Sequence, residues 1–224
     1  MLRKIVVGLA MFSVMGSVLA ADSMERSVQQ LQREWAMILY QGSESEQEAA
    51  FEILSQRAHA LTTQYPKHAE PLVWEGIILS TYAGAKGGLS ALTLVAEARE
   101  RLQQAEQINP HALNGSVYTS LGSLYYQVPG WPIGFGDDDK AEVYLKRALE
   151  INPNGIDPNY FYGDFLIDQR RYKEAVTVLR HALDAPKRPN RPLADAGRRD
   201  ETHAKLAQAQ EQLNTMASND PASW

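Results

Sequence analysis

The chain has 224 residues, a formal net charge of −5 and no cysteine. This length allows one packed domain or a short helical array. The lack of cysteine excludes disulfides, thiolate metal sites, a cysteine nucleophile and lipid attachment through cysteine. The mildly acidic balance argues against nucleic-acid binding, which needs clustered Lys and Arg.

Residues 1–20 have the pattern of a secretory signal peptide. Arg3 and Lys4 precede an apolar run that ends at Leu19, and small residues around Ala20 suit cleavage after that residue. The run is shorter than the about 20 apolar residues of a membrane helix. We therefore expect a periplasmic or secreted mature protein with no membrane span. An uncleaved anchor helix is the alternative.

Three later segments share one spacing, in which a small residue is followed by Leu four positions on and by another small residue three positions after that. Residues so spaced lie on one face of an α-helix, where the small residues let a second helix approach closely. The segments are Ala98, Leu102 and Ala105; Ala141, Leu145 and Ala148; and Ala175, Leu179 and Ala182.

A glycine at one register precedes each of these segments, at Gly76, Gly122 and Gly163, inside a predicted helix. Glycine within a helix costs about 1 kcal/mol relative to Ala. Three such glycines indicate that the partner helix touches the backbone there. The chain is therefore predicted to be a series of helix pairs.

The window from Ile156 to Pro189 resembles the tetratricopeptide repeat (TPR), a helix pair of about 34 residues. Two earlier windows resemble it with insertions between their helices. The resemblance implies an all-α, right-handed superhelix of antiparallel helix pairs, a TPR-like α-solenoid, with a C-terminal capping helix. Stacked helical arrays usually act as binding surfaces rather than as catalysts. The expected organisation is a signal peptide at 1–20, a degenerate N-terminal helix pair at 21–66, three TPR-like pairs at 67–189, a capping helix at 190–217 and a disordered tail at 218–224.

In the TPR family, side chains at fixed positions of each first helix line the concave groove. Carried over, these positions are Glu70, Val73, Ile77, Ser80 and Thr81; Ser116, Thr119, Ser123, Tyr126 and Gln127; and Asp157, Tyr160, Asp164, Ile167 and Asp168. This groove has no Lys or Arg, so it suits a polar or cationic partner or an extended peptide, and it lacks a basic clamp for a terminal carboxylate. The alternative is that these are tolerated surface positions.

From that groove and the loop after it, the candidate partner-binding residues are Val73, Ile77, Thr119, Ser123, Tyr126, Gln127, Trp131, Tyr160, Asp164 and Asp168. Trp131 belongs to a loop rich in Pro and Gly that also contains Phe135. Aromatic residues in such a loop either plug a core or anchor a partner. The basic residues between Lys187 and Arg199 are interpreted as a solvated linker and helix start rather than as an anion site.

Catalytic and metal signals are weak. The five histidines are scattered without metal-ligand spacing, and no nucleophile elbow occurs. We therefore expect a non-enzymatic protein without a cofactor.

A second resemblance concerns Gly136 to Ala141 and Tyr144 to Leu149, which are similar to the T component of tripartite ATP-independent periplasmic (TRAP) transporter systems. Two hypotheses follow. One is an exported scaffold that binds a protein or peptide partner in its groove. The alternative, implied by this resemblance, is an accessory protein that binds a small ligand or a substrate-binding protein. The oligomeric state is left open.

Overall fold

The computed structural model describes the backbone of residues 7–218 and the side chains of residues 23–216 and 218. The start and all side chains of the predicted signal peptide, and the predicted tail beyond residue 218, lie outside the described residues. Within 7–218 the chain forms nine α-helices: α1 Val7–Gln41, α2 Glu44–Gln64, α3 Ala69–Lys86, α4 Ala91–Ile108, α5 Ala112–Gln127, α6 Asp138–Ile151, α7 Ile156–Asp168, α8 Tyr172–Leu183 and α9 Pro192–Ser218.

The first eight helices form four consecutive pairs. Each of these helices packs against the next one in the chain, from α1 on α2 to α7 on α8. Links as short as residues 42–43 and 169–171 make the paired helices antiparallel. The predicted all-α helical-repeat fold is confirmed.

The repeated small-Leu-small spacing forms the interior of the pairs, and all nine of its residues are buried. A Cβ placed on Gly76, Gly122 or Gly163 would lie 2.6 Å from a side-chain atom of the leucine in the partner helix. The predicted reason for these glycines is therefore correct, and it is the leucine side chain that occupies the space. The sequence pattern thus sets the distance between the two helices of each pair.

Helix α9 connects the two ends of the array. It packs on α7 and α8, as a capping helix does, and it also contacts α1. Ala194 joins the apolar core formed by α1, α2 and α3, and Gly197 lies so close to the Tyr40 ring that a Cβ has no room. The array is therefore closed on itself by its last helix.

Among the described residues, no helix has the combination of length and apolar composition that crossing a membrane requires.

Candidate functional site

A cavity of about 710 Å³ lies on the inner side of the array. Its walls come mainly from α1, α3, α5 and α7, the first helices of the four pairs, and from α9 with the segment that leads into it. Ligand pockets commonly measure about 300–1,000 Å³. This cavity is the candidate functional site.

Part of the groove predicted from the TPR register lines this cavity. Of the candidate partner-binding residues, Ile77, Thr119, Ser123 and Gln127 are in its wall. They come from α3 and α5, where the same register also places Ser80, Thr81 and Ser116 in the wall. The register therefore identifies the inner face of these two helices.

The remaining predicted residues lie elsewhere. Val73 is fully buried in the core, and Asp168 is exposed at the end of α7, where it accepts a hydrogen bond from Gln169. Tyr160 is also buried, with the guanidinium of Arg198 4.3 Å from its ring centre. These positions are not part of the cavity wall.

Tyr126 and Asp164 take part in contacts between helices. The Tyr126 hydroxyl donates to Asp164 Oδ2 at 2.8 Å, and Lys205 of α9 forms an ion pair with Asp164 Oδ1 at 2.6 Å. Burial, together with the negative charge of Asp164, raises the pKa of Tyr126, so the hydroxyl keeps its proton and remains a donor. These residues join α5, α7 and α9 outside the cavity wall.

The two aromatic residues of the loop between α5 and α6 lie in different environments. Phe135 packs edge-to-face on Tyr125 with ring centres 5.7 Å apart, and the Arg99 guanidinium lies 4.0 Å from its ring centre. Trp131 is 90% exposed. Phe135 is therefore the residue that plugs the core, and Trp131 does not.

The cavity wall combines hydroxyl groups with apolar surface. Ser80 and Ser123 donate to carbonyl oxygens of their own helices, which leaves lone pairs of their oxygens available as acceptors. Trp74, Ile77 and Phe161 supply apolar wall. Such a wall can hold a ligand that has both polar and apolar parts.

The start of α5 has an unusual backbone where it meets the cavity. Leu113, Asn114 and Gly115 have φ angles of 50°, 56° and 77°. This left-handed conformation is strained for a leucine. Leu113 and Asn114 both line the cavity, so the strained turn shapes its wall. The sequence signal for this turn is the Asn114-Gly115 dipeptide, whose residues adopt positive φ most readily, whereas nothing in the sequence predicts it for Leu113.

Three arginines surround Asp157 at one side of the cavity. Arg188 Nη1 donates to Asp157 Oδ2 at 2.6 Å, and Arg198 Nε donates to Asp157 Oδ1 at 3.0 Å. Arg191 Nη1 lies 3.9 Å from the same carboxylate. The interpretation of this basic segment as a solvated linker is wrong: Arg198 is 8% exposed, and all three arginines line the cavity. Arg188 and Arg191 precede α9 and Arg198 belongs to it, and the packing of α9 on α7 brings all three to the cavity.

The charges in this cluster alter the titration of Asp157. Burial on its own would raise the pKa of Asp157, but the positive charges of Arg188, Arg198 and Arg191 outweigh it and hold the pKa well below the usual range. The carboxylate is therefore charged throughout the physiological pH range. Within the described part of the chain, no group of three or more acidic or histidine side chains could hold a metal ion.

Comparison with known proteins supports the fold. Residues 133–191 match the family model described as Tetratricopeptide repeat. A crystal structure of a thermophilic TPR protein from Thermus thermophilus superposes with a TM-score of 0.54 and 21% identity, covering 88% of this chain and 93% of that one.

A structure of Pseudomonas aeruginosa pilF covers 88% of this chain and 95% of that one, with 15% identity and a TM-score of 0.35, too low to support an argument. No curated protein matches the chain significantly.

Proposed function

We propose that this chain, whose residues 133–191 match the tetratricopeptide-repeat family and whose fold is that of a TPR protein, is a non-catalytic scaffold that receives a segment of a partner protein or peptide in its inner cavity. The TPR fold supports a role in protein interaction in general. The proposal adds the place of binding and an extracytoplasmic location. The location rests on the signal-peptide pattern of residues 1–20.

The observation that carries the proposal is the composition of the cavity wall. An extended peptide has backbone N–H groups that need acceptors and side chains that need apolar surface. The wall offers hydroxyl oxygens along α3 and α5, among them Ser80 and Ser123, beside the apolar Ile77 and Trp74. Because these residues belong to rigid helices, the binding surface is already formed before a partner arrives.

A second candidate function is supported by the size of the cavity. A volume of about 710 Å³ is within the range of sites for small molecules. The chain would then be an accessory protein that carries a small ligand, as the resemblance of Gly136 to Ala141 to the TRAP T component implies. The two candidates differ in the size of the ligand and use the same cavity.

Photo-crosslinking tests the proposal. A benzophenone amino acid at Ser120, a residue of the cavity wall, is compared with the same amino acid at Glu150, an exposed residue of α6. We expect one protein or peptide to be crosslinked from Ser120 and not from Glu150 in cells that export the chain. Equal labelling from both positions would argue against binding in the cavity.

A blocking variant shows whether the captured partner occupies the cavity. Gly84 lines the cavity, and a Cβ placed on it meets no atom within 4 Å. Gly84→Trp therefore adds a bulky side chain to the cavity wall without a clash at Cβ, and we expect it to reduce crosslinking from Ser120 strongly. Glu150→Trp adds the same side chain outside the cavity and is the control. A partner retained by Gly84→Trp binds elsewhere.

A further inference from the structure

Among the described residues of the cavity wall, Arg191 is the cation whose guanidinium forms no hydrogen bond. Both oxygens of Asp157 already accept from Arg188 and Arg198 at 2.6 and 3.0 Å. The distance of 3.9 Å from Arg191 Nη1 to Asp157 Oδ2 is too long for a hydrogen bond. Arg191 Nε is buried without any partner among the described residues.

The other carboxylates near the cluster are also in use. Asp195 accepts from the backbone N–H and from Nε of Arg188, both at 2.6 Å. Glu201 accepts from Nη1 of Arg198 at 2.6 Å. Asp157 and Glu201 are the two acidic residues of the cavity wall, against three arginines. Asp195 lies outside the wall but brings the carboxylates of the cluster to three, so the cluster as a whole is close to neutral. Within it, Arg191 is the arginine whose guanidinium has no carboxylate at hydrogen-bond distance.

Arg191 is held in a fixed position. Its guanidinium lies 5.1 Å from the centre of the Trp74 ring, and its side chain is 19% exposed. Burial lowers the pKa of Arg191; the charge of Asp157 raises it, and that of Arg188 lowers it again, so the net direction is downward. An arginine that has lost water without gaining a hydrogen-bonded counter-ion has a strong preference for an incoming anion.

We propose that Arg191 is the anchor of a carboxylate-binding subsite in the cavity, with the apolar part of the ligand lying against Trp74 and Ile77. A guanidinium matches the planar, two-oxygen geometry of a carboxylate. The apolar wall next to it selects a carboxylate with a hydrophobic body rather than a small inorganic anion. This inference rests on the proposed use of the cavity, and it reverses the expectation that the groove lacks a basic clamp.

The carboxylate has two sources, the end of a peptide chain and a free organic acid, and matched probe pairs distinguish them. The first pair is 3-phenylpropanoate and 3-phenylpropanamide. The second pair is N-acetyl-pentaalanine with a free carboxyl end and the same peptide with an amide end. Each probe is titrated into the full mature chain by calorimetry at constant ionic strength.

In at least one pair the acid should bind about tenfold more tightly than the amide, the factor expected for a charge-assisted hydrogen bond. Arg191→Gln should abolish this preference. Arg180→Gln removes the same charge from an exposed position of α8 and should keep it. A preference confined to the first pair assigns the site to a free organic acid, and a preference in the peptide pair assigns it to a chain end.

A second substitution shows whether a lost preference reflects the missing charge or a misfolded variant. Arg191→Lys keeps the positive charge and should retain a reduced preference for the acid, with circular dichroism confirming that both variants are folded. The inference is overturned if acid and amide bind equally in both pairs, if no probe binds at about 10 mM, or if Arg191→Gln keeps the preference.

Failure of this inference can be separated from failure of the proposed function. If both peptides bind equally and Gly84→Trp abolishes that binding, the cavity receives peptides and the carboxylate subsite does not exist. If the free acid shows the Arg191-dependent preference while crosslinking from Ser120 captures no protein, the subsite exists and the protein-binding function is wrong.

Discussion

Replacing Gly76 and Gly84 by alanine tests how the helix pairs are packed, because both glycines belong to α3. A Cβ on Gly76 would lie 2.6 Å from Leu102 Cγ and 3.2 Å from the carbonyl oxygen of Ala98, whereas a Cβ on Gly84 meets nothing within 4 Å. Leu102 is fully buried and Cγ is the branch point of its side chain, so it cannot swing away. The backbone of α4 must move instead.

The expected magnitudes follow from two opposing effects. Alanine is favoured over glycine in a helix by up to about 1 kcal/mol, and this gain applies to both positions. Overpacking a core costs about 1–3 kcal/mol and applies only at Gly76. We therefore expect Gly76→Ala to be less stable than Gly84→Ala by about 1–3 kcal/mol, with melting temperatures separated by about 2–4 °C for each kcal/mol.

Urea unfolding followed by circular dichroism measures this difference, provided that the slope m is unchanged between variants. A double-mutant cycle identifies the contact responsible. Leu102→Ala alone should cost about 2–5 kcal/mol, and adding Gly76→Ala to it should cost less than Gly76→Ala costs in the parent, since the leucine is gone and only the contact with the Ala98 carbonyl remains. If the two glycine variants have the same stability, the close approach of α3 and α4 is not what makes glycine necessary at residue 76.

Three further outcomes are expected. Asp157→Asn should lower the free energy of unfolding at pH 7 by about 3 kcal/mol, because it removes the carboxylate that three partly or fully buried arginines share. Folding lowers the pKa of Asp157, so its contribution to stability is complete above the unfolded value of about 3.9 and is lost progressively as the pH falls from there through the lower folded value. Urea titrations should show the variant and the parent beginning to converge below about pH 4, and a constant difference would contradict the ion-pair explanation. Phe135→Ala should destabilise the chain by about 3 kcal/mol, whereas Trp131→Ala should change stability by less than about 0.5 kcal/mol, as thermal melts can show; equal losses would mean that Trp131 has a packing role. Mass spectrometry of the exported protein should find Ala21 as its first residue, and an intact N-terminus would support an anchor helix instead.

The helix pairs could be predicted because their cause is local and repeated. An alanine, a leucine and an alanine at spacings of four and three, as in Ala98, Leu102 and Ala105, form one helix face by backbone geometry alone. The glycine of each first helix predicted a close contact, which the structure shows as the leucine of the second helix. The TPR register then placed Ile77 and Ser123 in the cavity wall.

The candidate site was only partly predictable, since its charges come from outside the repeats. Position rules for the first helices could not show that Tyr160 and Asp164 are in contact with α9 rather than with a partner. The one available signal was the basic segment between Lys187 and Arg199 in an otherwise acidic chain. The density of basic residues in this segment did not by itself distinguish a linker from part of a cavity wall.

The amino-acid sequence by itself determined the helix pairs, their spacing and the face that each helix buries, because these depend on residues within one or two helical turns of each other. Only the tertiary structure decided that α9 returns to α1 and closes the array. That closure brings Arg188 and Arg198 to Asp157 across 31 and 41 residues of chain and sets Arg191 beside Trp74. Such contacts depend on the summed twist of four helix pairs, which no local pattern records.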